Sequence, residues 1–256
     1  MKNKLIFSHE RTEQYKANAK HYWNRTYEKE GYCASHNAGS LEKTIEVAQT
    51  EMDLFLFPTE EKCTRLYADR ETVPIPTFGP SFFLHENVQK YLGDDLSHLT
   101  ALEYGCGFMG RYSLAMADYF KKVHAIDVSA EAVKNARKFG SDRLNINYHV
   151  NNGVDLSFIE DGSVDFVFSN LVFQHIGNKE IIYSITEEIS RVLKVGGIIR
   201  AEYSNSHDKK DVGHANPYSG NGFDCDELIA MYSECGLTTE TITEDRYFMW
   251  ITGVKK

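Results

Sequence analysis

Cysteine is scarce and unpaired in pattern: Cys33, Cys63, Cys106, Cys225 and Cys235 are the five in 256 residues, with no C-x-x-C pair. An odd count without paired spacing argues for neither a disulfide framework nor a structural zinc site, so free thiols are expected. Long apolar runs are missing too, since no stretch approaches the roughly 20 residues that span a bilayer. The apolar segment in MKNKLIFSHERTEQYK is too short for the central region of a signal peptide. A cytoplasmic protein with no membrane partner is the expectation. Basic charge is in deficit, with 28 Lys and Arg against 37 Asp and Glu and a formal net charge of -9. That balance disfavours a broad grip on nucleic-acid phosphates. No internal repeat or low-complexity tract appears, and the sequence leaves oligomeric state open.

What is present suits a packed globule, with 42% hydrophobic and 12% aromatic residues. From about Thr100 onward, short β-branched or apolar runs alternate with helical stretches, the pattern of an α/β fold with a parallel sheet. Strands are expected at TALEY, KVHAIDV, INYHVN, SVDFVFSN and GIIRAEYS, ending at Tyr104, Val128, Asn151, Asn170 and Ser204. Ser129 is placed to cap a helix carrying Ala132, Val133 and Ala136 on one face, with Gly140 at its end. A second helix follows Asn178, and a third opens at Asp224 with Glu227 three places on, as in a capping box. The segments TTETITED and RYFMWITGVK then read as an antiparallel hairpin closing the sheet. Residues 1–95 differ: helical patches are followed by Pro58, Pro74, Pro76 and Pro80, which break regular structure. They are expected to form a helical cap or lid on a core domain spanning 96–256.

The chemistry centres on Gly105-Cys106-Gly107-Phe108-Met109-Gly110, where a strand runs through glycines into a helix. Such a turn aims backbone N–H groups at a ligand and lets it approach closely. Asp127, ending the next strand, is placed to accept from both hydroxyls of a ribose, or else to cap the following helix. In Asn152-Gly153-Val154-Asp155, Asp155 offers an acceptor to an adenine amino group while Val154 packs on the ring; an ordinary polar turn is the alternative.

These segments resemble the class I S-adenosylmethionine-dependent methyltransferases, through LEYGCGFMGR, AIDVSAEAVKNAR, NNGVDLSF-IEDGSVDFVFSNLVFQHI and EEISRVLKVGGIIRAEY, in family order. The resemblance implies a Rossmann-like, mostly parallel seven-stranded sheet and S-adenosylmethionine as cofactor. It puts Glu103, Gly105 and Gly107 around the methionine portion, Asp127 at the ribose, Gly153, Val154 and Asp155 at the adenine, and Asn170 and Leu171 under the sulfonium, with Cys106 and Val128 as further cofactor-binding residues. The family commonly has G-x-G-x-G, whereas Gly110 comes one place late here. That spacing equals the dinucleotide fingerprint, so an NAD(P)-dependent oxidoreductase is the rival reading, and a non-catalytic S-adenosylmethionine-binding protein is another.

The acceptor is expected to be a small molecule methylated on O, N or C. His175 and Gln174, just past the fourth strand, are candidates for a base or hydrogen-bond partner, or for ordinary capping and packing roles. The segment SNSHDKKDVGHANPYSGNG offers His214 as a further catalytic candidate, beside His207 and Tyr218. The spacing of His207, Asp208, Asp211 and His214 matches no defensible metal site, so no metal is expected. Tyr22, Trp23 and Tyr27 either close over the site as a lid or pack the cap onto the core.

Overall fold

The computed structural model describes residues 16–18, 20–25, 41–57, 88–205, 222–244 and 248–256. Its core is one sheet in the order β3-β2-β1-β4-β5-β8-β7. The strands are β1 (Thr100–Tyr104), β2 (Lys122–Asp127), β3 (Ile146–Val150), β4 (Val164–Ser169), β5 (Leu193–Asn205), β6 (Gly222–Phe223), β7 (Leu237–Glu244) and β8 (Phe248–Lys255). The first five run parallel to one another. β8 lies antiparallel between β5 and β7, as the terminal hairpin requires. The path has the seven strands expected, and the two-residue β6 pairs with β5 off that path, giving eight in all.

β1, β2 and β4 are buried on both faces except near their first residues, which explains their nearly continuous apolar runs. Alternate side chains feed two layers. Ala101, Phe166, Phe168 and Trp250 meet Met52 and Phe55 of α1 (Leu41–Leu56), whereas Leu102, Val167 and Ile199 meet Ile182, Ile185 and Ile189. The latter three belong to α5 (Lys179–Val192), capped by Asn178, whose side chain accepts from Glu180 and Ile181 N–H. β5 begins at Leu193, four residues earlier than the sequence suggests, because Gly196 (φ 80°) and an irregular register opposite Val164 let the VLKVGG turn stay in the sheet.

The other helices are α2 (Gln89–Leu92), α3 (Arg111–Met116), α4 (Ala130–Phe139) and α6 (Cys225–Glu234), with a 3-10 turn at Phe173–His175. Ser129 caps α4 by accepting from Ala132 N–H, and α6 carries the full Asp224–Glu227 capping box. Of the expected cap, α1 packs on α3 and the residues after it, with Phe57 against the Tyr119 ring and Gln49 donating to its hydroxyl. Residues 20–25 are helical as well. The four prolines named above lie outside the described residues. No helix among the described residues is long and apolar enough to cross a membrane.

Candidate cofactor and active site

At the carboxyl end of β1 the chain turns through Gly105 (φ 84°) and Gly107 (φ 62°), both in the left-handed region that disfavours other residues. The N–H groups of Gly105 and Cys106 donate to Ile126 O, each at 2.8 Å, fastening the turn to β2. The extra residue of the loop is absorbed locally. Gly110 N–H donates to Cys106 O at 3.1 Å, Met109 is buried, and Phe108 lies 5.9 Å from the ring of Phe139 in α4. Gly110 (φ 59°) is needed late because a Cβ there would sit 3.3 Å from that of Ala136.

Asp127 ends β2 beside this turn, and both its oxygens hold backbone. Oδ2 accepts from Gly107 N–H at 2.9 Å and Oδ1 from Ser129 N–H at 2.8 Å. Ser129 itself caps the helix, so Asp127 is left to shape the loop. Burial raises its pKa, and the Ser129, Gly107 and Val128 N–H groups oppose the rise. Each oxygen retains acceptor capacity toward a ribose hydroxyl.

Glu103, two residues before Gly105, lies under the loop and is only 3% exposed. Its Oε2 accepts from Ser113 N–H at 2.6 Å and from the Ser113 hydroxyl, pinning the first turn of α3. Burial drives its pKa up to about 7 from 4.5, against the pull of the Ser113 donors. The folded state therefore holds this proton between about pH 4.5 and about pH 7, where the unfolded carboxyl has lost it. Its contribution to stability is fully present below that window and is lost as pH rises through it. Thermal melts from pH 4 to 8 are expected to show this decline in the wild type and a flatter profile in Glu103→Gln; parallel profiles would contradict the assignment.

Past the end of β3, Val128 and Gly153 face each other, with a Cβ on Gly153 lying 3.7 Å from Val128 Cγ2. Asn151 Oδ1 accepts from Gly153 N–H, and the Tyr104 hydroxyl donates to Gly153 O at 2.8 Å. Val154 is half-buried against the core. Asp155 accepts from Ser157 N–H and the Ser157 hydroxyl, one on each oxygen, so part of its capacity caps its own turn.

Beyond β4, Leu171 has φ 58°, a strained value for a non-glycine residue. Strain held at the carboxyl end of a central parallel strand marks a position worth a functional reading. Asn170 Nδ2 donates to the Tyr112 hydroxyl at 2.5 Å, while its Oδ1 is buried and has no hydrogen-bond partner among the described residues. Next come Gln174 and His175, whose Nε2 atoms are 3.2 Å apart. They ride on Phe173, which is stacked between Tyr104 (6.0 Å) and Tyr203 (4.5 Å).

Two residues of the N-terminal region reach this end of the sheet. Trp23 lies edge-on to the His175 ring with centroids 5.3 Å apart, and Asn24 Oδ1 accepts from the Ser129 hydroxyl at 2.7 Å. Ser129 follows β2 and His175 follows β4, with β1 between those strands, so residues 23–24 cross above the glycine turn. Tyr22 packs on Trp23 at 5.3 Å. Tyr27, His207, Asp208, Asp211, His214 and Tyr218 lie outside the described residues. Among the described residues no group of acidic, cysteine or histidine side chains is arranged to hold a metal.

Sequence reasoning missed Glu51, Tyr112, Ser113 and Asn24. Ser113 follows the glycine turn closely enough to be suspected, but the others act across separations such as the 61 residues between Glu51 and Tyr112, which no local pattern reveals.

The glycine cradle, the acidic end of β2 and the acceptor on Asn170 fit an S-adenosyl group. A methyltransferase-domain family model matches residues 102–201. The 2-methyl-6-phytyl-1,4-hydroquinone methyltransferase of Synechocystis sp. is 32% identical over 113 residues, 44% of this chain and 34% of that protein. The match thus spans about a third of the relative's length. Geranyl diphosphate C-methyltransferase from Streptomyces coelicolor A3(2), solved with Mg2+, geranyl diphosphate and S-adenosyl-L-homocysteine, aligns with TM-score 0.59 at 16% identity, covering 94% of this chain and 98% of that one. An S-adenosylmethionine-dependent methyltransferase from Aquifex aeolicus aligns with TM-score 0.53 at 19% identity, covering 77% and 99%. Residues 102–201 are thus similar to a methyltransferase domain, and the chain shares its fold with solved S-adenosylmethionine-dependent methyltransferases.

Proposed function

We propose that this chain binds S-adenosylmethionine along the Gly105–Gly107 turn and methylates O, N or C of a small acceptor with an apolar body. The observation that carries the reading is the loop itself, whose two left-handed glycines are tied to the end of β2, Gly105 to Ile126 and Gly107 to Asp127, beside a strained Leu171. The relatives support a small acceptor: the hydroquinone and the diphosphate in their names both bear isoprenoid chains. When bound, the cofactor supplies a sulfonium methyl group whose S–C bond breaks as the bond to the acceptor forms.

The protein's part is alignment and exclusion of water. Asp127 and Val128 hold the ribose, Gly153, Val154 and Asp155 border the adenine, and Glu103, Gly105, Cys106 and Gly107 support the methionine end. Burial and the nearby Asp127 and Glu103 charges raise the Cys106 thiol well above its usual pKa, so it acts as a packed apolar group. Gln174 and His175 face the methyl-transfer side, where His175 can accept a proton from an acceptor hydroxyl or amine. His214, outside the described residues, stays a catalytic candidate. Incubation with methyl-labelled S-adenosylmethionine and a panel of prenylated hydroquinones and prenyl diphosphates tests the reading. Label is expected in an organic-extractable product; cofactor binding without transfer to any small acceptor would leave only a binding protein.

Trp23 and Asn24 act as a roof that parts for cofactor exchange. Replacing both by Ala is expected to speed S-adenosylhomocysteine dissociation by about tenfold, the effect of losing roughly 1.4 kcal/mol. Stopped-flow displacement measures this, and an unchanged dissociation rate would make the contact mere packing.

A further inference from the structure

The Tyr112 hydroxyl sits between two groups of different kind. It donates to Glu51 Oε2 at 2.6 Å, and Asn170 Nδ2 donates to it at 2.5 Å. A phenol has one proton to give. Because the Glu51 oxygen takes that proton's hydrogen bond, Tyr112 meets Asn170 only as an acceptor, so the amide presents Nδ2 to the tyrosine and turns Oδ1 the other way. The end of the carboxamide that faces away from Tyr112 is thus decided by a glutamate on α1, a helix of the N-terminal region. Asn170 Oδ1 is buried without a partner among the described residues, and it leads into the strained Leu171. Val172, one residue on, touches the glycine turn, since a Cβ on Gly105 would fall 2.2 Å from its Cγ2.

The surroundings favour a cationic donor for that oxygen. Glu103 and Asp127 border the turn, Glu51 lies one hydrogen bond from Tyr112, and Arg111 is the charge opposing the pKa rise of Glu51 and Glu103. The Arg111 guanidinium is directed at the Tyr112 ring, 4.7 Å from its centre, where it steadies the phenol.

We propose that Glu51 and Tyr112 are positioning residues of the cofactor site, holding Asn170 with its carboxamide oxygen ready to accept from the α-ammonium of S-adenosylmethionine. This rests on the proposed cofactor and extends it, because it makes part of the N-terminal region necessary for methionine recognition. Without the Glu51 acceptor, the Tyr112 hydroxyl is free to donate to Asn170, the amide reverses, and an NH2 group meets the ammonium instead.

Calorimetry with two probes tests it: S-adenosylhomocysteine, which carries the ammonium, and methylthioadenosine, which has the same nucleoside and sulfur without it. Tyr112→Phe and Glu51→Leu are expected to weaken S-adenosylhomocysteine about tenfold while moving methylthioadenosine less than twofold. Glu51→Gln, which keeps an acceptor for the phenol, recovers most of the loss, and melting curves confirm that each variant is folded. Equal losses for both probes, or no loss for S-adenosylhomocysteine, would overturn the proposal. A wild-type protein that binds neither probe would instead remove the cofactor reading on which it rests.

Discussion

Gly105→Ala is expected to lower affinity for S-adenosylhomocysteine by at least about 100-fold. The left-handed φ of 84° alone costs an alanine about 1–2 kcal/mol. The larger effect is steric, since the added carbon would lie 2.2 Å from Val172 Cγ2 and 3.0 Å from Cγ1. Val172 cannot yield alone, because it joins strained Leu171 to the 3-10 turn bearing Gln174 and His175. Relief therefore moves the floor of the cleft away from the glycine turn. Together these effects amount to about 3 kcal/mol, which is roughly 100-fold in binding. Gly162→Ala is the control. It has φ 59° with nothing within 4 Å of an added Cβ, so it should lose stability and leave affinity unchanged. A Gly105→Ala protein binding within threefold of wild type would contradict the placement of the cofactor against Gly105.

Asp127→Ala should weaken the same ligand by about 5- to 150-fold, corresponding to the roughly 1–3 kcal/mol for leaving polar groups unpaired. It should also melt earlier, since Gly107 and Ser129 N–H lose their acceptor in a buried place. About 2 kcal/mol of lost stability corresponds to ~4–8 °C in a chain of this size. Unchanged affinity in Asp127→Ala, with only the melting point lowered, would confine Asp127 to a scaffolding role.

Local chemistry explains why so much of the sheet could be read from residues alone. Ser129, Asn178 and Asp224 cap helices through their nearest backbone N–H groups, and strands β1, β2 and β4 announce themselves by unbroken apolar runs. The glycine turn is legible for the same reason, as positive φ selects glycine. Its spacing alone stayed ambiguous between two cofactors. The antiparallel insertion of β8 between β5 and β7 departs from the all-parallel dinucleotide order and supports the methyltransferase reading. What local pattern could not supply is contact across distance. Glu51 reaches Tyr112, Asn24 reaches Ser129 and Trp23 reaches His175 only after the N-terminal region has folded over the sheet. The late Gly110 belongs with these, because its reason is the approach of Ala136 in the next helix.

The central claim is that the Gly105–Gly107 turn is built for an S-adenosyl group and not for a dinucleotide. Titration calorimetry of the wild-type chain with S-adenosylhomocysteine and, separately, NADH tests it most directly. The account predicts saturable binding of S-adenosylhomocysteine at one site per chain and no heat with NADH; saturable NADH binding with no response to S-adenosylhomocysteine would contradict it.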